Sequence, residues 1–233
     1  MSKLAKSLTA AAGNAGGAGL TVEDVFSTYL YSGTSASHDI TNNVNLADEG
    51  GLVWIKGRSG IFTDTNHRLF DTERGVYKHL ASNLTSSEGT HTNTLTAFNA
   101  DGFTLGTDAS LGEVNYTGMN YASWTFRKAE KFFDVVTWTG DGAAGPFTLP
   151  HNLGATVGMS VVKVTSHSGN WITNHRSLPS NYLALNSAAA AQTDVTMTST
   201  YSTITFNGSN VYYNFSGSTY VAYLFASDAG GFG

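Results

Sequence analysis

The feature that most constrains this chain is a stretch that occurs twice, with copies that begin 107 residues apart at Phe26 and Phe133. The first copy opens with residues 26–33 (FSTYLYSG) and the second with residues 133–140 (FDVVTWTG). Each combines aromatic, apolar and β-branched residues and then ends in glycine, the pattern of a β-strand followed by a break. The sequence therefore predicts two copies of one β-rich unit.

The correspondence continues along both copies and closes with a spacing of 99 residues, so the second copy has lost a few loop residues. Three further pairs of segments match: 51–56 (GLVWIK) with 158–163 (GMSVVK), 80–83 (LASN) with 183–186 (LALN), and 118–126 (GMNYASWTF) with 217–225 (GSTYVAYLF). A repeat of this length is too long for a solenoid unit and suits two duplicated domains.

Short apolar stretches separated by Gly, Asn and Ser recur throughout residues 21–233, which is typical of a sandwich or jelly roll. We therefore expect an all-β protein with two tandem β-sandwich domains of jelly-roll or concanavalin-like type, at 21–130 and 131–233. Residues 1–20 form an N-terminal tail with a glycine-rich hinge in this interpretation, and little helix is expected after it.

The composition points to an extracellular or particle-bound surface. Charged residues make up only 12% of the chain, and aromatic residues also make up 12%, so a hydroxyl- and amide-rich surface surrounds an ordered core. A net charge of −5 without a basic run argues against nucleic-acid binding. The absence of cysteine fits synthesis in a reducing cytosol. No apolar run approaches the ~20 residues of a membrane span, so membrane insertion is not expected.

The N-terminal 19 residues differ from the rest of the chain and allow three interpretations: a frayed tail, a weak secretory signal, or a docking peptide that becomes ordered on a partner. Apolar residues at helical spacing and two lysines support the docking peptide. The glycines from Gly13 onward would act as a swivel. The predicted assembly anchor consists of Leu4, Leu8, Ala12, Lys3 and Lys6.

No catalytic or metal-binding motif is apparent. The seven histidines do not form the close pairs that zinc sites favour, and no nucleophile elbow, phosphate loop or calcium loop is present. We therefore expect no enzymatic activity, no metal and no cofactor. The pairs His67-Arg68 and His175-Arg176 align between the copies. A shared requirement of the fold is the favoured explanation of these pairs, and a shared ligand site is the alternative.

Four aromatic residues are the better candidates for surface or ligand contact. Trp171 follows a Ser-Gly-Asn loop, and Tyr116 lies beside Gly118 in another loop. Tyr212 and Tyr213 are adjacent in a predicted strand, where one of the two rings must face outward. Rings of this kind can stack on sugars.

Several of these motifs together resemble the tandem-domain virion proteins of tailed phages, particularly those of marine and cyanobacterial phages. The resemblance covers about residues 20–233 and is carried by these segments: 52–56 (LVWIK), 67–75 (HRLFDTERG), 77–83 (YKHLASN), 98–106 (FNADGFTLG), 220–225 (YVAYLF) and the closing Phe232-Gly233. The family supplies no catalytic residues that could be transferred to this chain.

The resemblance implies a structural protein of the virion, most consistent with a tail fibre or a tail or baseplate component that contributes to host-surface adhesion. The alternatives are a capsid decoration protein and a lectin-like or glycan-active protein. The expected partners are other virion proteins, further copies of this chain in a homo-oligomer, with a trimer favoured, and a glycan of the host surface. The expected location is the particle, after synthesis in the host cytoplasm.

Overall fold

The computed structural model describes residues 19–108, 113–208 and 210–227. These residues form an almost entirely β structure with one four-residue helix, α1 (Val22–Val25). The strands of the first half are β1 (Phe26–Ser32), β2 (His38–Thr41), β3 (Gly51–Gly60), β4 (His67–Asp71), β5 (Lys78–Ala81), β6 (Gly89–Thr90), β7 (Leu95–Asn99), β8 (Gly102–Leu105) and β9 (Met119–Arg127). Those of the second half are β10 (Phe133–Thr139), β11 (Phe147–Pro150), β12 (Val157–Val164), β13 (Ile172–His175), β14 (Tyr182–Ala184), β15 (Val195–Ser199), β16 (Thr203–Gly208) and β17 (Thr219–Ala226).

Each half contains one large and one small antiparallel sheet. The first half has the orders β1-β9-β3-β4-β5-β6 and β2-β8-β7, and the second has β10-β17-β12-β13-β14 and β11-β16-β15. Apart from the two-residue β6, the second half repeats the strand order of the first. The expectation of an all-β sandwich fold is confirmed. The origin of the two halves by duplication stays a prediction.

The central strands of the two halves also share their register. Phe126 on β9 lies between the first residue of β1 and Leu52 on β3. In the second half, Phe225 on β17 lies between the first residue of β10 and Met159 on β12. These positions are the ones that the sequence repeat pairs, so aligned residues occupy equivalent places in the large sheets.

Alternation along the central strands directs side chains into two different cores. On β3, Val53 and Ile55 are fully buried against the small sheet of their own half. Leu52 and Trp54 point to the opposite face of the large sheet. Because both faces of β3 are covered, its sequence is nearly continuously apolar rather than strictly alternating.

The opposite faces of the two large sheets pack against each other and form a third core. This core contains residues of both halves, including Leu52, Leu69, Phe133, Trp171 and Tyr223. The molecule is therefore a stack of four sheets with three apolar interiors, and burial of apolar surface stabilises all three interfaces.

The strands of the two large sheets cross instead of running side by side. Phe225 on β17 packs against Phe126 on β9, with ring centroids 5.7 Å apart. Two residues along the same strand, the Tyr223 hydroxyl donates to Asp71 at the end of β4, at 2.8 Å. A shift of two residues along β17 therefore corresponds to a shift from β9 across β3 to β4 in the other sheet. The strands of the two large sheets thus run across each other, as in crossed sheet packing.

One predicted strand is not formed. The sequence predicts a strand around Tyr212 and Tyr213, but a short 3₁₀-helix covers Asn210–Tyr212 and a turn follows it. The amide side chain of Asn214 is buried and bonds the backbone of a neighbouring loop, and this fixes a turn where the apolar pattern predicts a strand.

Candidate functional site

A tight turn that carries an aromatic residue precedes the last strand of each half. We call residues 114–118 and 213–217 the aromatic turns. Their aromatic residues are Tyr116, which is partly buried, and Phe215, which is 52% exposed. Gly118 and Gly217 end the turns with φ angles of 86° and 74°, the left-handed region that glycine tolerates best.

A buried asparagine clamps the turn of the first half to the loop after β1. The Asn115 Oδ1 atom accepts from the backbone N–H of Thr34 at 3.0 Å. Its Nδ2 atom donates to the carbonyl oxygens of Ala36 and Gly106 at 2.7 and 2.6 Å. One side chain thereby satisfies three backbone groups in two segments, which fixes the turn against both of them.

The second half has the same clamp at the equivalent residue. Asn214 Oδ1 accepts from the backbone N–H of Asp141 at 3.0 Å, and its Nδ2 donates to the Ala143 carbonyl at 3.2 Å. Asp141 and Ala143 correspond to Thr34 and Ala36 in the repeat. An exposed carboxylate, that of Asp141, also accepts from this amide at 2.7 Å.

A tyrosine hydroxyl completes each turn. Tyr121 accepts from the backbone N–H of Tyr116 at 2.9 Å, and Tyr220 accepts from that of Phe215 at 3.0 Å. Burial raises the pKa of Tyr121 to about 12 and raises that of Tyr220 as well, so both hydroxyls stay protonated. A side chain at Gly33 would collide with the Tyr116 carbonyl, so this glycine allows the close approach.

The aromatic turn of the first half adjoins an open cleft of about 350 Å³, here called the tip cleft, which is lined by Ile61, Phe62, Thr63, Asp64, Thr65 and Glu113. The rings of Phe62 and Tyr116 meet edge to face, with centroids 5.1 Å apart. Phe62 is 42% exposed, and the exposed Asp64 makes no hydrogen bond or ion pair within the described residues. The tip cleft therefore combines exposed apolar surface with an unengaged carboxylate and hydroxyls, a combination that suits a neutral polyhydroxylated ligand.

Glu113, at the back of the tip cleft, is committed to the protein. It pairs with Arg68 and accepts from the side chain of Asn66 at 2.6 Å. These contacts hold the β3–β4 loop in place beside the aromatic turn. Glu113 therefore acts in positioning the cleft wall rather than as a free contact group.

The aromatic turn of the second half has different neighbours. The nearest ring to Phe215 is that of His167, with centroids 6.5 Å apart. The two halves thus share the turn but differ in what surrounds it.

A larger open cleft of about 700 Å³ lies at the other end of the first half, near Glu49, Glu73 and Lys128. Its charged groups already have partners, because Lys128 contacts Glu73 at 2.6 Å, Glu49 contacts Arg127 at 2.8 Å, and the Asp48 carboxylate accepts from the side chain of Asn45 at 2.8 Å. The tip cleft, with its free carboxylate, is consequently the stronger candidate.

Two of the four candidate contact residues are buried: the expectation that Trp171 is exposed is wrong, and of the two adjacent tyrosines Tyr213 is the one that faces inward. Trp171 is 0% exposed and lies in the core between the halves, where its Nε1 atom donates to the Ala81 and Leu84 carbonyls at 2.9 and 3.1 Å. Tyr213 is also buried and stacks on Phe206. Its neighbour Tyr212 is half-buried, with its hydroxyl 3.2 Å from that of another tyrosine. Of these four aromatic residues, Tyr116 is the one that adjoins the tip cleft.

The two His-Arg pairs do not occupy equivalent positions. Arg68 pairs with Ile55 in register, whereas the residue at the corresponding place in the second half is Ile172. The alignment of His175-Arg176 with His67-Arg68 is therefore wrong by several residues, because the second copy has a shorter β3–β4-type loop. His175 and Arg176 are exposed, and the structure does not bring them near the other pair.

His67 has a structural role instead. The Trp54 Nε1 atom donates to its Nδ1 atom at 3.1 Å. Desolvation and the nearby Lys56 ammonium lower the pKa of His67 below its usual value, so its ring is neutral and can accept this bond.

The predicted assembly anchor, formed by Leu4, Leu8, Ala12, Lys3 and Lys6, lies outside the described residues. Within the part of the chain that the structure describes, no group of three or more His, Asp or Glu side chains is arranged to hold a metal ion. Among those same residues, no helix is long and apolar enough to cross a membrane.

The residues that the sequence did not single out are Asn115, Asn214 and Phe62. A signal for the first two exists, because the pattern Asn, aromatic, hydroxyl residue, Gly, two residues, Tyr occurs at both 115–121 and 214–220. It becomes visible when the alignment of the closing strands is extended three residues upstream. Phe62 has no counterpart in the second copy and could not be found in this way.

The fold and the repeated turns define a class of all-β proteins in which two like-ordered sandwiches share a central core and present clamped aromatic turns. A family model described as a domain of unknown function (DUF7483) matches residues 21–233, and the chain belongs to this family. No curated protein and no solved structure matches the chain.

Proposed function

We propose that this protein is a non-enzymatic structural component of a phage virion, of the tail fibre or baseplate kind, and that it contributes to attachment to the host surface. The resemblance of its motifs over about residues 20–233 to tandem-domain virion proteins supports the particle assignment. The low share of charged residues, 12%, supports a surface that works in contact with neighbouring proteins or glycans.

The observation that carries the adhesion part of the proposal is the tip cleft beside a clamped aromatic turn. Phe62 and Tyr116 offer apolar ring surface, and Asp64 and Thr63 offer groups that bond hydroxyls. Sugars have apolar ring faces rimmed by hydroxyls, so we propose a host-surface glycan as the ligand. The rigid turn reduces the entropy that binding would otherwise cost.

Binding of the purified full-length protein to an array of bacterial surface glycans tests the adhesion proposal. We expect Phe62→Ser to weaken binding at least about tenfold, because it removes the exposed ring that stacks on the sugar. Phe215→Ser is the matched control, since it removes a comparably exposed ring from the aromatic turn of the second half, outside the tip cleft. Equal loss in both variants, or no glycan bound by the original protein, would contradict the tip cleft as the binding site.

Immunogold labelling of phage particles tests the particle assignment separately. We expect label at the tail tip or fibres. Label over the capsid would instead support a decoration protein, and the absence of label from purified particles would refute a virion role. This result does not depend on the glycan array, so the two parts of the proposal can fail independently.

A further inference from the structure

Strand β1 forms an open edge of the six-stranded sheet. Among the described residues it pairs only with β9, in continuous register from Phe26 to Ser32. Its seven residues include no charge and no proline, and Leu30 is 58% exposed. An uncharged, regular edge strand of this length is a ready template for pairing with another strand.

The backbone groups that β1 leaves unpaired can be assigned from its register. The N–H of Gly33 bonds the Met119 carbonyl at 2.8 Å, so odd-numbered residues of β1 bond towards β9. The N–H and C=O groups of Thr28, Leu30 and Ser32 therefore point away from the sheet. They form a row of donors and acceptors along the open edge.

The other edge strands of the described sheets carry features that discourage such pairing. β6 and β14 are only two and three residues long, and β2 carries the polar side chains of His38 and Asp39. The register of β7 is irregular after Leu95, and β11 ends in Pro150. In β15, the Val195 carbonyl already accepts from the side chain of Asn174. β1 has none of these features.

The comparison with β10 is the most direct, because β10 is the equivalent strand of the second half and has the same length. There the backbone of Phe133 bonds that of Ala129, and Asp134 turns its carboxylate onto the outward backbone N–H of Val135, at 2.9 Å. The residue at the place of Asp134 in β1 is Ser27, and it makes no such bond among the described residues. The first part of the β10 edge is thus occupied by groups of the same chain, including a charged side chain, whereas the β1 edge is open from Thr28 to Ser32.

We propose that β1 pairs with β1 of a second copy of this chain, antiparallel and across a two-fold axis at Leu30, so that the two six-stranded sheets become one. This axis places Leu30 opposite the same residue of its partner and Thr28 opposite Ser32, so outward-pointing groups meet outward-pointing groups. Because β1 carries no charge, the pairing brings no like charges together. The exposed Leu30 side chains pack side by side and leave water.

Light scattering after size-exclusion chromatography tests this pairing on the full chain. We expect twice the chain mass of 24.6 kDa. Leu30→Lys should return the protein to the mass of one chain, because it places two charges together at the axis. Leu183→Lys is the matched control, since Leu183 is an exposed leucine, 40% accessible, on edge strand β14, and this variant should keep the doubled mass. Ser27→Asp, which copies the closed edge of β10, should also weaken the dimer.

Cross-linking provides a second readout that does not need a stable dimer. The chain contains no cysteine, so Leu30→Cys creates a single thiol. A short bis-maleimide should join two Leu30→Cys chains and should not join Leu183→Cys chains. Circular dichroism of all variants confirms that they are folded.

Three outcomes would overturn the proposal. The first is a single-chain mass for the original protein together with no cross-link at position 30. The second is a trimer, the assembly expected from the sequence, that persists in Leu30→Lys. The third is a dimer seen only when the chain begins at Leu20, which would mean that the N-terminal segment of the same chain occupies the β1 edge.

Discussion

The two halves share a skeleton but differ in the polar groups that hold their loops. Every ion pair among the described residues has at least one partner in the first half, such as Arg68–Glu113 and Arg74–Asp71. In the second half, amides and hydroxyls serve instead, and the buried Lys163 bonds only carbonyl oxygens, those of Thr85 and Val164.

What remains constant between the halves is the register of the central strands and the asparagine clamp. Both depend on apolar burial and on backbone hydrogen bonds, which are short-range and geometrically demanding. Ion pairs vary because even a buried pair, such as Arg74–Asp71, can be replaced by well-packed neutral groups with little loss of stability. The strand register and the asparagine clamp therefore define the fold, whereas the ion pairs are specific to one half.

Among equivalent positions of the two halves, Trp171 and His67 should differ most in how far an alanine substitution lowers the free energy of unfolding. These two residues precede Ile172 and Arg68, which occupy the same place in the two large sheets. Trp171→Ala removes a fully buried ring from the core between the halves and should lower the free energy of unfolding by about 3–5 kcal/mol. His67→Ala should cost about 1 kcal/mol, because the ring is half-exposed and loses one hydrogen bond. Chemical denaturation of both variants measures the difference, and equal losses would contradict the shared core.

The clamp should be unequal in strength although its geometry repeats. Asn115→Ala should cost about 2–3 kcal/mol, because it leaves the Gly106 carbonyl and the Thr34 N–H without partners. Asn214→Ala should cost about 1 kcal/mol, since the exposed Asp141 beside it gives water access to the freed groups. Thermal unfolding of the pair checks the order, and a greater loss in Asn214→Ala would contradict it.

The smallest expected effect concerns the two equivalent lysines, Lys163 and Lys56. Burial lowers the pKa of Lys163 to about 8, so the folded protein releases this proton at a lower pH than the unfolded chain does. Because the unfolded state then binds more protons, the free energy of unfolding should rise by about 1 kcal/mol from pH 7 to pH 9. Above pH 10 the opposite trend sets in, since burial raises the pKa of tyrosines such as Tyr31 and Tyr223.

Denaturation measured at several pH values tests this assignment. Lys163→Met should abolish the rise, whereas Lys56→Met should preserve it, because Lys56 is only partly buried. A rise that persists in Lys163→Met would assign it to another group.

Much of the fold could be predicted from the sequence, since strand patterns and the repeat place most strands and align the central ones. The pairs Phe26/Phe133 and Gly118/Gly217 are aligned correctly because rigid sheets tolerate no insertion there. The alignment fails between β3 and β4 and between β12 and β13, where the loop lengths differ, and this displaced His175-Arg176.

The candidate site was less accessible to sequence reasoning. Trp171 follows a polar loop, a position typical of an exposed residue, but its ring packs against the first half, a contact distant in sequence. The near-continuous apolar run Leu52–Ile55 is the sequence signal of that contact, because a continuously apolar strand is favoured only where both faces of the sheet are covered. The tip cleft depends on Phe62, a residue of one copy alone, so a search for repeated residues passes over it.

The core between the two large sheets makes the two halves of the repeat dependent on each other. Neither half can keep Leu52, Phe133 and Tyr223 out of water without the other, and only the short segment 128–132 connects them covalently. A single cut in that segment should leave two fragments that remain bound and that reassemble when they are made separately. In that sense the protein is a heterodimer that is translated as one polypeptide.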